Sequence, residues 1–290
     1  MRYKAYDIHG TARDFLYDID SESLSDAFDI DGNSLKSYGD IKLKVCNYNV
    51  GGWYIGSGSN VPASEDVKYY ALQNGMISAI NADILCIEEY WTNFSPSRTA
   101  ESLLSQYYPY IRSNGGGSAY FGRAICSKYP IVSYTSNNFS VDSGRYFDVA
   151  KIDVDGLAVY VFVTHLSVSN QSYKIQQATQ IFNYIKNRSL DPFIVCGDFN
   201  SNLEYPMTEI NAGIYKQFVD DGCALANDGA FGILNTACNS SDWSEAFAID
   251  NIIVSDAFKI KSVSTDLTKT TDSIVDKIDH IPLIAELETY

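Results

Sequence analysis

The stretch Asp191-Pro-Phe-Ile-Val-Cys-Gly-Asp-Phe-Asn200 decides the fold prediction, because it combines a buried strand with a polar end. The run from Phe193 to Cys196 is apolar on both faces, which is typical of a strand in the centre of a covered sheet. Gly197 has no Cβ and predicts a sharp turn that ends the strand. Asp198 and Asn200 follow, and alternation of side chains points both the same way. The alternative is a solvated turn, since Gly, Asp and Asn are common turn residues.

The pair formed by Asp198 and Asn200 suits chemistry on a phosphate group. A carboxylate can hold and deprotonate a water molecule. An amide NH2 can donate a hydrogen bond to a phosphate oxygen without adding a competing negative charge. The stretch therefore predicts a small polar site at the end of a central strand.

Polar residues also follow the other predicted strands, so the same pattern repeats along the chain. The runs lie at Ile41–Asn49, Asp83–Glu89, Leu157–His165, Ala248–Val254 and Lys277–Pro282. The first three are strand-like runs that end in Asn, Glu or His, and the last two supply further acids and another histidine. Histidine is rare here, since the whole chain has only three.

Six of these polar motifs together resemble, in order and rough spacing, the endonuclease/exonuclease/phosphatase superfamily, which includes deoxyribonuclease I, abasic-site endonucleases, sphingomyelinases, deadenylases and inositol polyphosphate phosphatases. The ordered set is far more specific than any single member, and it covers residues 41 to 288. The motifs are Asn49-Val50, Ile87-Glu88-Glu89, Thr164-His165, Gly197-Asp198-Phe199-Asn200, Ile249-Asp250 and Asp279-His280.

The resemblance implies an α+β fold, a four-layer αββα sandwich in which two mixed, mostly antiparallel sheets pack face to face with helices outside. The sequence pattern alone predicts only that helices alternate with β-meanders. Predicted helices lie near Ser64–Asn81, Thr99–Gln106, Ser172–Asn187 and Met207–Val219, and the region from Tyr108 to Val163 is predicted to be rich in strands.

The resemblance also implies a magnesium-dependent hydrolase acting on phosphoester bonds, with Mn²⁺ or Ca²⁺ as alternative ions. A phosphodiester repels nucleophiles, so a metal ion must neutralise its charge while a base activates water. Hard cations prefer carboxylate oxygen, and Glu89 is the first choice of ligand, with Asn49 and Asp279 completing the cluster. Glu88 competes for this role, but it occupies the place of a glutamine beside the family's acid.

The family pattern implies a role for each remaining polar residue. Asp198 orients or deprotonates the attacking water, and Asn200 donates to the phosphate. His280 stabilises the pentacovalent phosphate, and Asp250 fixes its tautomer. His165 matches a second histidine that donates to the leaving oxygen or to a phosphate oxygen, although a lone histidine is more often structural.

Two positions mark limits of the resemblance. Arg145 resembles a phosphate-contacting arginine of deoxyribonuclease-like members, although surface arginines are common. Phe121 stands where many relatives carry a glutamate that supports the histidine equivalent to His165. This departure leaves the role of His165 open.

Elimination favours a nuclease or nucleotide phosphodiesterase, with nucleic acid or another phosphodiester as substrate. The chain has no obvious exposed apolar hairpin of the lipid-cleaving kind and no Lys/Arg cluster of the polyphosphoinositide kind. Trp53, Trp91 and Trp243 lie in loops where they can stack on bases or pack the loops down. Three alternatives remain: a phospholipid phosphodiesterase, a phosphomonoesterase, and a non-catalytic binding or assembly protein on the same scaffold.

Composition sets the size of the core and limits the partners. With 290 residues and 46% hydrophobic content, the chain is long enough for one large two-sheet domain. We predict a catalytic domain at 39–290 and an acidic tail at 1–38. The net charge of −15 weakens the case for tight nonspecific DNA binding.

The beginning of the chain carries no recognisable targeting signal. No apolar run approaches the roughly 18 residues that cross a bilayer, and the segment from Met1 to Tyr6 lacks the core of a signal peptide. We expect no transmembrane segment and a cytoplasmic or otherwise unspecified location. Cysteines inside strand-like apolar runs are typical of free thiols and favour the cytoplasm. Only Cys223 and Cys238 lie in a loop-rich region where a disulfide is plausible.

The predicted tail contains a short repeat with a period of eleven residues: Tyr6-Asp7-Ile8, Tyr17-Asp18-Ile19 and Phe28-Asp29-Ile30. One interpretation is a ragged acidic segment whose aromatic residues pack on the domain. The other is a module that docks the enzyme onto a larger assembly or its own oligomer.

Overall fold

The computed structural model describes residues 40–51, 74–90, 99–114, 122–168, 170–203, 208–228, 232–238, 246–265 and 279–290, and the backbone of 4–6, 12–14, 93–95 and 98. The chain divides into two compact units, 1–39 with Tyr290 and 40–289. In the first unit, β1 (Lys4–Tyr6) pairs antiparallel with β2 (Ala12–Asp14). The second and third copies of the repeat lie outside the described residues, so a docking role for the tail stays a prediction.

The first large sheet has six strands in the order β17-β18-β3-β4-β8-β7. Only β3 and β4 run parallel, and the other neighbours are antiparallel. The strands are β3 (Lys42–Asn49), β4 (Ile84–Glu88), β7 (Tyr110–Asn114), β8 (Arg123–Ser127), β17 (Phe258–Thr265) and β18 (Leu283–Thr289). A small pair, β5 (Asn93–Ser95) and β6 (Arg98–Thr99), lies between β4 and β7 in the chain.

The second large sheet also has six strands, in the order β13-β16-β12-β11-β10-β9. Its parallel pair is β11 and β12. The strands are β9 (Ile131–Asn138), β10 (Tyr146–Val154), β11 (Leu157–His165), β12 (Phe193–Asp198), β13 (Ala224–Leu225) and β16 (Asp250–Val254). A separate antiparallel pair, β14 (Ala237–Cys238) and β15 (Ala246–Phe247), lies between β13 and β16 in the chain.

Helices cover the outer face of each sheet, and the inner faces pack on each other through contacts such as β12 with β3 and β11 with β4. The first sheet carries α1, described over 74–80, and α2 (Ala100–Leu104). The second carries α3 (Gln171–Arg188) and α4 (Glu209–Asp220). The α+β prediction and the four-layer αββα sandwich are confirmed. Within the described residues no helix is long and apolar enough to cross a membrane.

Helix limits follow the capping signals of the sequence. The side chains of Thr99, Asn170 and Thr208 cap α2, α3 and α4 by accepting a hydrogen bond from a backbone N–H in the first turn. The predicted helices near 99–106, 172–187 and 207–219 are therefore confirmed to within a few residues. The helix predicted at 64–81 is present over 74–80, and its beginning lies outside the described residues.

Gly197 does not end the central strand, which corrects the sequence prediction. It lies inside β12 and pairs with Thr164 of β11. A Cβ on Gly197 would stand 2.7 Å from the carbonyl oxygen of Thr164. The sequence needs glycine there because two strands approach closely, whereas the left-handed turn falls later, at Asn200, with φ of 51°.

All six cysteines lie among the described residues, where they are buried, and none forms a disulfide. Cys223 and Cys238 are therefore not paired with each other. Burial raises the pKa of Cys223 to about 12, which keeps it a thiol. These groups contribute to the apolar packing of the fold.

Candidate active site

The site lies at the edge of the sandwich where the two parallel strand pairs end. Because parallel strands have their carboxyl ends at the same edge, β3 and β4 bring Asn49 beside Glu88. In the same way β11 and β12 pair His165 with Asp198. The inner faces of the two sheets are in contact, so these two pairs meet across the sandwich.

Asp198 lies at the centre of the polar cluster and is 1% exposed. Its Oδ2 accepts a hydrogen bond from Asn49 Nδ2 at 3.1 Å, and it lies 3.5 Å from His165 Nε2 and 3.6 Å from His280 Nε2. Burial raises the pKa of Asp198 to about 6, with repulsion by Asp250 adding to it. One carboxylate thus joins residues of four different segments.

Asp250 holds His280 from the other side of the ring. His280 Nδ1 lies 2.9 Å from Asp250 Oδ2. Burial alone lowers the pKa of His280, but attraction to Asp250 and Asp198 outweighs it and raises the pKa to about 10. At neutral pH the ring is therefore an imidazolium that faces two carboxylates.

Asn47 also belongs to this cluster, although the sequence pattern assigned it no role. Its Nδ2 donates to Asp250 Oδ1 at 3.1 Å. The signal for it was the alternation of β3, since Asn47 and Asn49 are two residues apart and share a strand face. Asn47 therefore fixes Asp250, just as Asp250 fixes the imidazole.

Glu89 and Asp279 form a second acidic group beside Asn49. Asn49 Nδ2 lies 3.4 Å from Glu89 Oε1. Asp279 Oδ1 lies 3.4 Å from the position of a Cβ on Gly51. Burial raises the pKa of Glu89 to about 7, and repulsion by Asp279 is the next cause. Asn49 thus contacts Glu89, and Glu89 interacts electrostatically with Asp279, while the role of the three residues as metal ligands stays a prediction.

Asn200 and Arg145 are near the site but contact the main chain. Asn200 Nδ2 donates to the carbonyl of Leu166 at 3.0 Å. Arg145 Nη1 donates to the carbonyls of His165 and Leu166 at 2.9 and 2.5 Å. A direct contact of either side chain with a phosphate stays a prediction.

Glu88, the neighbour of Glu89, faces a different environment. It is 0% exposed, and its carboxylate oxygens have no hydrogen-bond partner among the described residues. Burial raises the pKa of Glu88 well above its ordinary value. It pairs across the sheet with Arg123, whose Nε lies 3.6 Å from Asp148 Oδ2. Repulsion by Asp250 and Asp198 adds to the rise in the pKa of Glu88, so this buried carboxyl group adjoins the polar cluster.

Phe121 and the tryptophans at 53, 91 and 243 lie outside the described residues. The predicted effect of Phe121 on His165 and the stacking role of the tryptophans therefore stay predictions.

The sequence matches the Endonuclease/Exonuclease/phosphatase family over residues 49–272, which is most of the chain and includes all the site segments except Asp279 and His280. The chain belongs to this family. Members of the family are hydrolases that act on phosphoester bonds.

One protein of similar sequence carries a functional name. A Caenorhabditis elegans protein named "Putative neutral sphingomyelinase" is 28% identical over 170 residues, which cover 51% of this chain and 38% of that protein. The chain thus spans well under half of this relative's length.

Solved structures share the fold at low sequence identity. Truncated Caenorhabditis elegans TDP2 superposes with a TM-score of 0.64 at 16% identity, covering 86% of this chain and 98% of that one. The human Nocturnin catalytic domain with bound sulfate gives 0.62 at 20% identity, covering 86% and 94%. These two comparisons show the architecture alone.

The donor sets of this family member fit a hard divalent cation. Glu89 and Asp279 offer carboxylate oxygens, whereas Asn49 turns its Nδ2 towards Glu89 and accepts from the Gly51 N–H through its Oδ1. Burial, with repulsion by Asp279, raises the pKa of Glu89, and a cation would relieve the repulsion. Asp198, Asp250 and His280 also place one ligand atom each within 4.8 Å of one another. In that second group, however, the imidazole already faces a carboxylate through each nitrogen. A cation held by Glu89, Asn49 and Asp279 therefore stays a prediction.

Proposed function

We propose that the chain is a divalent-cation-dependent phosphodiesterase that cleaves its substrate with an activated water. A nuclease or nucleotide phosphodiesterase is our first choice of activity, with Mg²⁺ as the ion and Mn²⁺ or Ca²⁺ as alternatives. The observation that carries the proposal is the contact of the Asp198 carboxylate with Asn49, His165 and His280.

The residues of the chain have complementary roles in this proposal. Asp198 accepts hydrogen bonds from fixed donors and still offers an oxygen beside two imidazoles, so it can orient water and take its proton. The imidazolium of His280, held by Asp250, stabilises the negative charge that develops on the phosphoryl oxygens. His165, whose Nε2 lies 3.5 Å from the same carboxylate, would donate to the leaving oxygen.

Glu89, Asn49 and Asp279 would hold the cation, which when bound neutralises the phosphate and polarises its P–O bond. The geometry supports Glu89 over Glu88 for this task. Glu89 follows the strand with φ of 51° and its Oε1 lies 3.4 Å from Asn49 Nδ2, whereas the Glu88 carboxyl group is fully buried and has no hydrogen-bond partner among the described residues.

A phospholipid phosphodiesterase is the second candidate function. The relative named as a neutral sphingomyelinase, at 28% identity over 170 residues, supports it. A phosphocholine diester and a nucleotide diester share the scissile P–O bond, so the same residues suit both. Activity on phosphomonoesters and a purely structural role are outcomes of the same experiment.

Hydrolysis of a panel of substrates tests the proposal. Single-stranded DNA, duplex DNA, RNA, sphingomyelin vesicles, a chromogenic phosphodiester and a chromogenic phosphomonoester are assayed with and without Mg²⁺. We expect Asp198→Asn and His280→Asn each to lower kcat on the order of 10²- to 10⁴-fold, because each removes a proton-transfer or charge-stabilising group.

Asp256→Asn is the matched control, since Asp256 is an exposed acid in the turn after β16. It should retain wild-type activity. Equal activity of all three variants and the wild type would contradict the proposal, and absence of wild-type hydrolysis of every substrate would favour the non-catalytic alternative.

A further inference from the structure

Lys174 is a buried lysine in the first turn of α3 that the proposed chemistry does not use. It is only 3% exposed, although lysine is rarely buried. No ion pair with a carboxylate of the described residues accompanies this burial. Its Nζ instead donates to the main-chain carbonyl of Asn200.

Asn200 is the residue through which Lys174 reaches the site. It adopts a left-handed conformation with φ of 51°, which is unfavourable for a residue with a side chain. Its backbone N–H donates to Asp198 Oδ1 at 2.8 Å, and its side-chain amide donates to Leu166 O at 3.0 Å. The orientation of the Asp198 carboxylate therefore depends on the conformation of Asn200.

Gln177, one turn further along α3, supports the neighbouring segment in the same way. It is 0% exposed, and its Oε1 accepts from the backbone N–H of Ser167 at 2.8 Å. Gln177 and Lys174, on the buried face of α3, thus form hydrogen bonds to the segments that follow β11 and β12, respectively. Arg145 bonds to the carbonyls of His165 and Leu166.

Packing alone does not account for this arrangement. The rest of the buried face of α3 consists of Ala178, Ile181 and Ile185, which an apolar residue at position 174 would continue. A buried ammonium group is unfavourable unless it satisfies a specific acceptor. The acceptor here belongs to the residue that directs the central carboxylate.

We propose that Lys174 is a positioning residue for phosphoester hydrolysis, which holds the left-handed main chain of Asn200 and through it orients Asp198. The inference rests on the proposed function for its effect on rate. The restraint that Lys174 places on Asn200 does not depend on which substrate the protein hydrolyses.

The first measurement is independent of catalysis. Hydrogen exchange of the Asn200 backbone N–H is compared in wild type, Lys174→Met and Lys186→Met. Met keeps the length and apolar stem of lysine, and Lys186 is a half-exposed lysine on the same helix paired with Asp221. We expect at least tenfold faster exchange in Lys174→Met alone, and unchanged exchange in that variant would overturn the inference.

The second measurement concerns rate, with kcat and KM determined separately on a substrate found in the panel. We expect Lys174→Met to lower kcat 10- to 100-fold with KM within about threefold, because misplacement of a catalytic group reduces turnover more than binding. Lys174→Arg, which keeps a charged donor, should recover most of the loss.

The outcomes separate the two proposals. A wild-type protein that hydrolyses nothing, with exchange still altered by Lys174→Met, contradicts the function and keeps the restraint. If Lys174→Met does not fold, Lys174→Gln replaces it, and exchange at Asn200 equal to that of the wild type in Lys174→Gln overturns the inference.

Discussion

Gly197 shows how a single residue fixes the spacing of the strands that carry the site. It pairs with Thr164, and the residues directly after these two are Asp198 and His165. The close approach at the glycine therefore sets the distance between a carboxylate and an imidazole. A larger residue would push the two strand ends apart.

We predict that Gly197→Ala destabilises the fold by about 1 to 3 kcal/mol, because the added Cβ overlaps the carbonyl oxygen of Thr164. Urea unfolding measures the effect. Gly75→Ala is the control, since a Cβ at this helical position meets no atom within 4 Å, and alanine is favoured over glycine in helices by about 1 kcal/mol. Similar stabilities of the two variants would contradict the overlap.

Glu88 and Glu89 are adjacent acids with opposite expected roles. We predict that Glu89→Gln raises the Mg²⁺ concentration needed for half-maximal activity at least tenfold, since it removes a charged oxygen ligand. Glu88→Gln should leave that concentration unchanged and should not lower stability, because it removes a buried carboxylate without a hydrogen-bond partner.

Magnesium titration of activity, with direct binding by calorimetry, distinguishes the two variants. Removal of the ion with a chelator should abolish hydrolysis in the wild type. A larger effect of Glu88→Gln than of Glu89→Gln would reverse the assignment of the ligand.

At the scale of elements, α3 links stability to the geometry of the site. Its N-terminus is capped by Asn170, whose side chain accepts from Tyr173 N at 3.2 Å, and the next residue along is Lys174. Fraying of this turn would release the lysine from Asn200. We therefore expect α3 to affect the geometry of the site as well as to cover the second sheet.

Removal of this cap tests the link. We predict that Asn170→Ala costs about 1 kcal/mol of stability and lowers kcat several-fold, because the first turn carries Lys174. Thr99→Ala removes the equivalent cap of α2 on the other sheet, so it should cost similar stability without a change in kcat. Thermal unfolding and initial rates measure both effects, and equal rates for the two variants would show that the turn does not matter to the site.

At the scale of the whole molecule, the net charge of −15 opposes the approach of a polyanion. Under the proposed function, a cation held by the site would offset this field locally, together with the buried side chains of His280 and Lys174. Salt screens the repulsion, with a Debye length of about 10 Å at 0.1 M. The chain should thus differ from basic nucleases, whose binding weakens with salt.

We predict that kcat/KM on duplex DNA rises several-fold between about 20 and 150 mM NaCl at fixed Mg²⁺, because screening reduces the repulsion between enzyme and substrate. Zwitterionic sphingomyelin vesicles should show a smaller change. Initial rates at low substrate concentration measure both. A steep fall with salt on DNA would indicate a local basic surface that dominates the net charge.

The sequence by itself determined the strands, most helices and the identity of the polar residues at strand ends. Apolar runs such as Phe193–Cys196 and caps such as Asn170 act locally, so short stretches of sequence are sufficient to read them. The family resemblance added the sandwich, because the order of six motifs reflects the order of the elements that carry them.

The tertiary structure alone decided which atoms meet. The sequence pattern assigned no role to Lys174 or Gln177 and predicted a turn at Gly197. The partners of these three residues lie on other elements, so the local sequence does not reveal them. The burial of Glu88 and the position of Glu89 likewise depend on how the two sheets face each other. Local pattern encodes backbone conformation and side-chain type, whereas contacts between segments far apart in sequence depend on the packing of the whole domain.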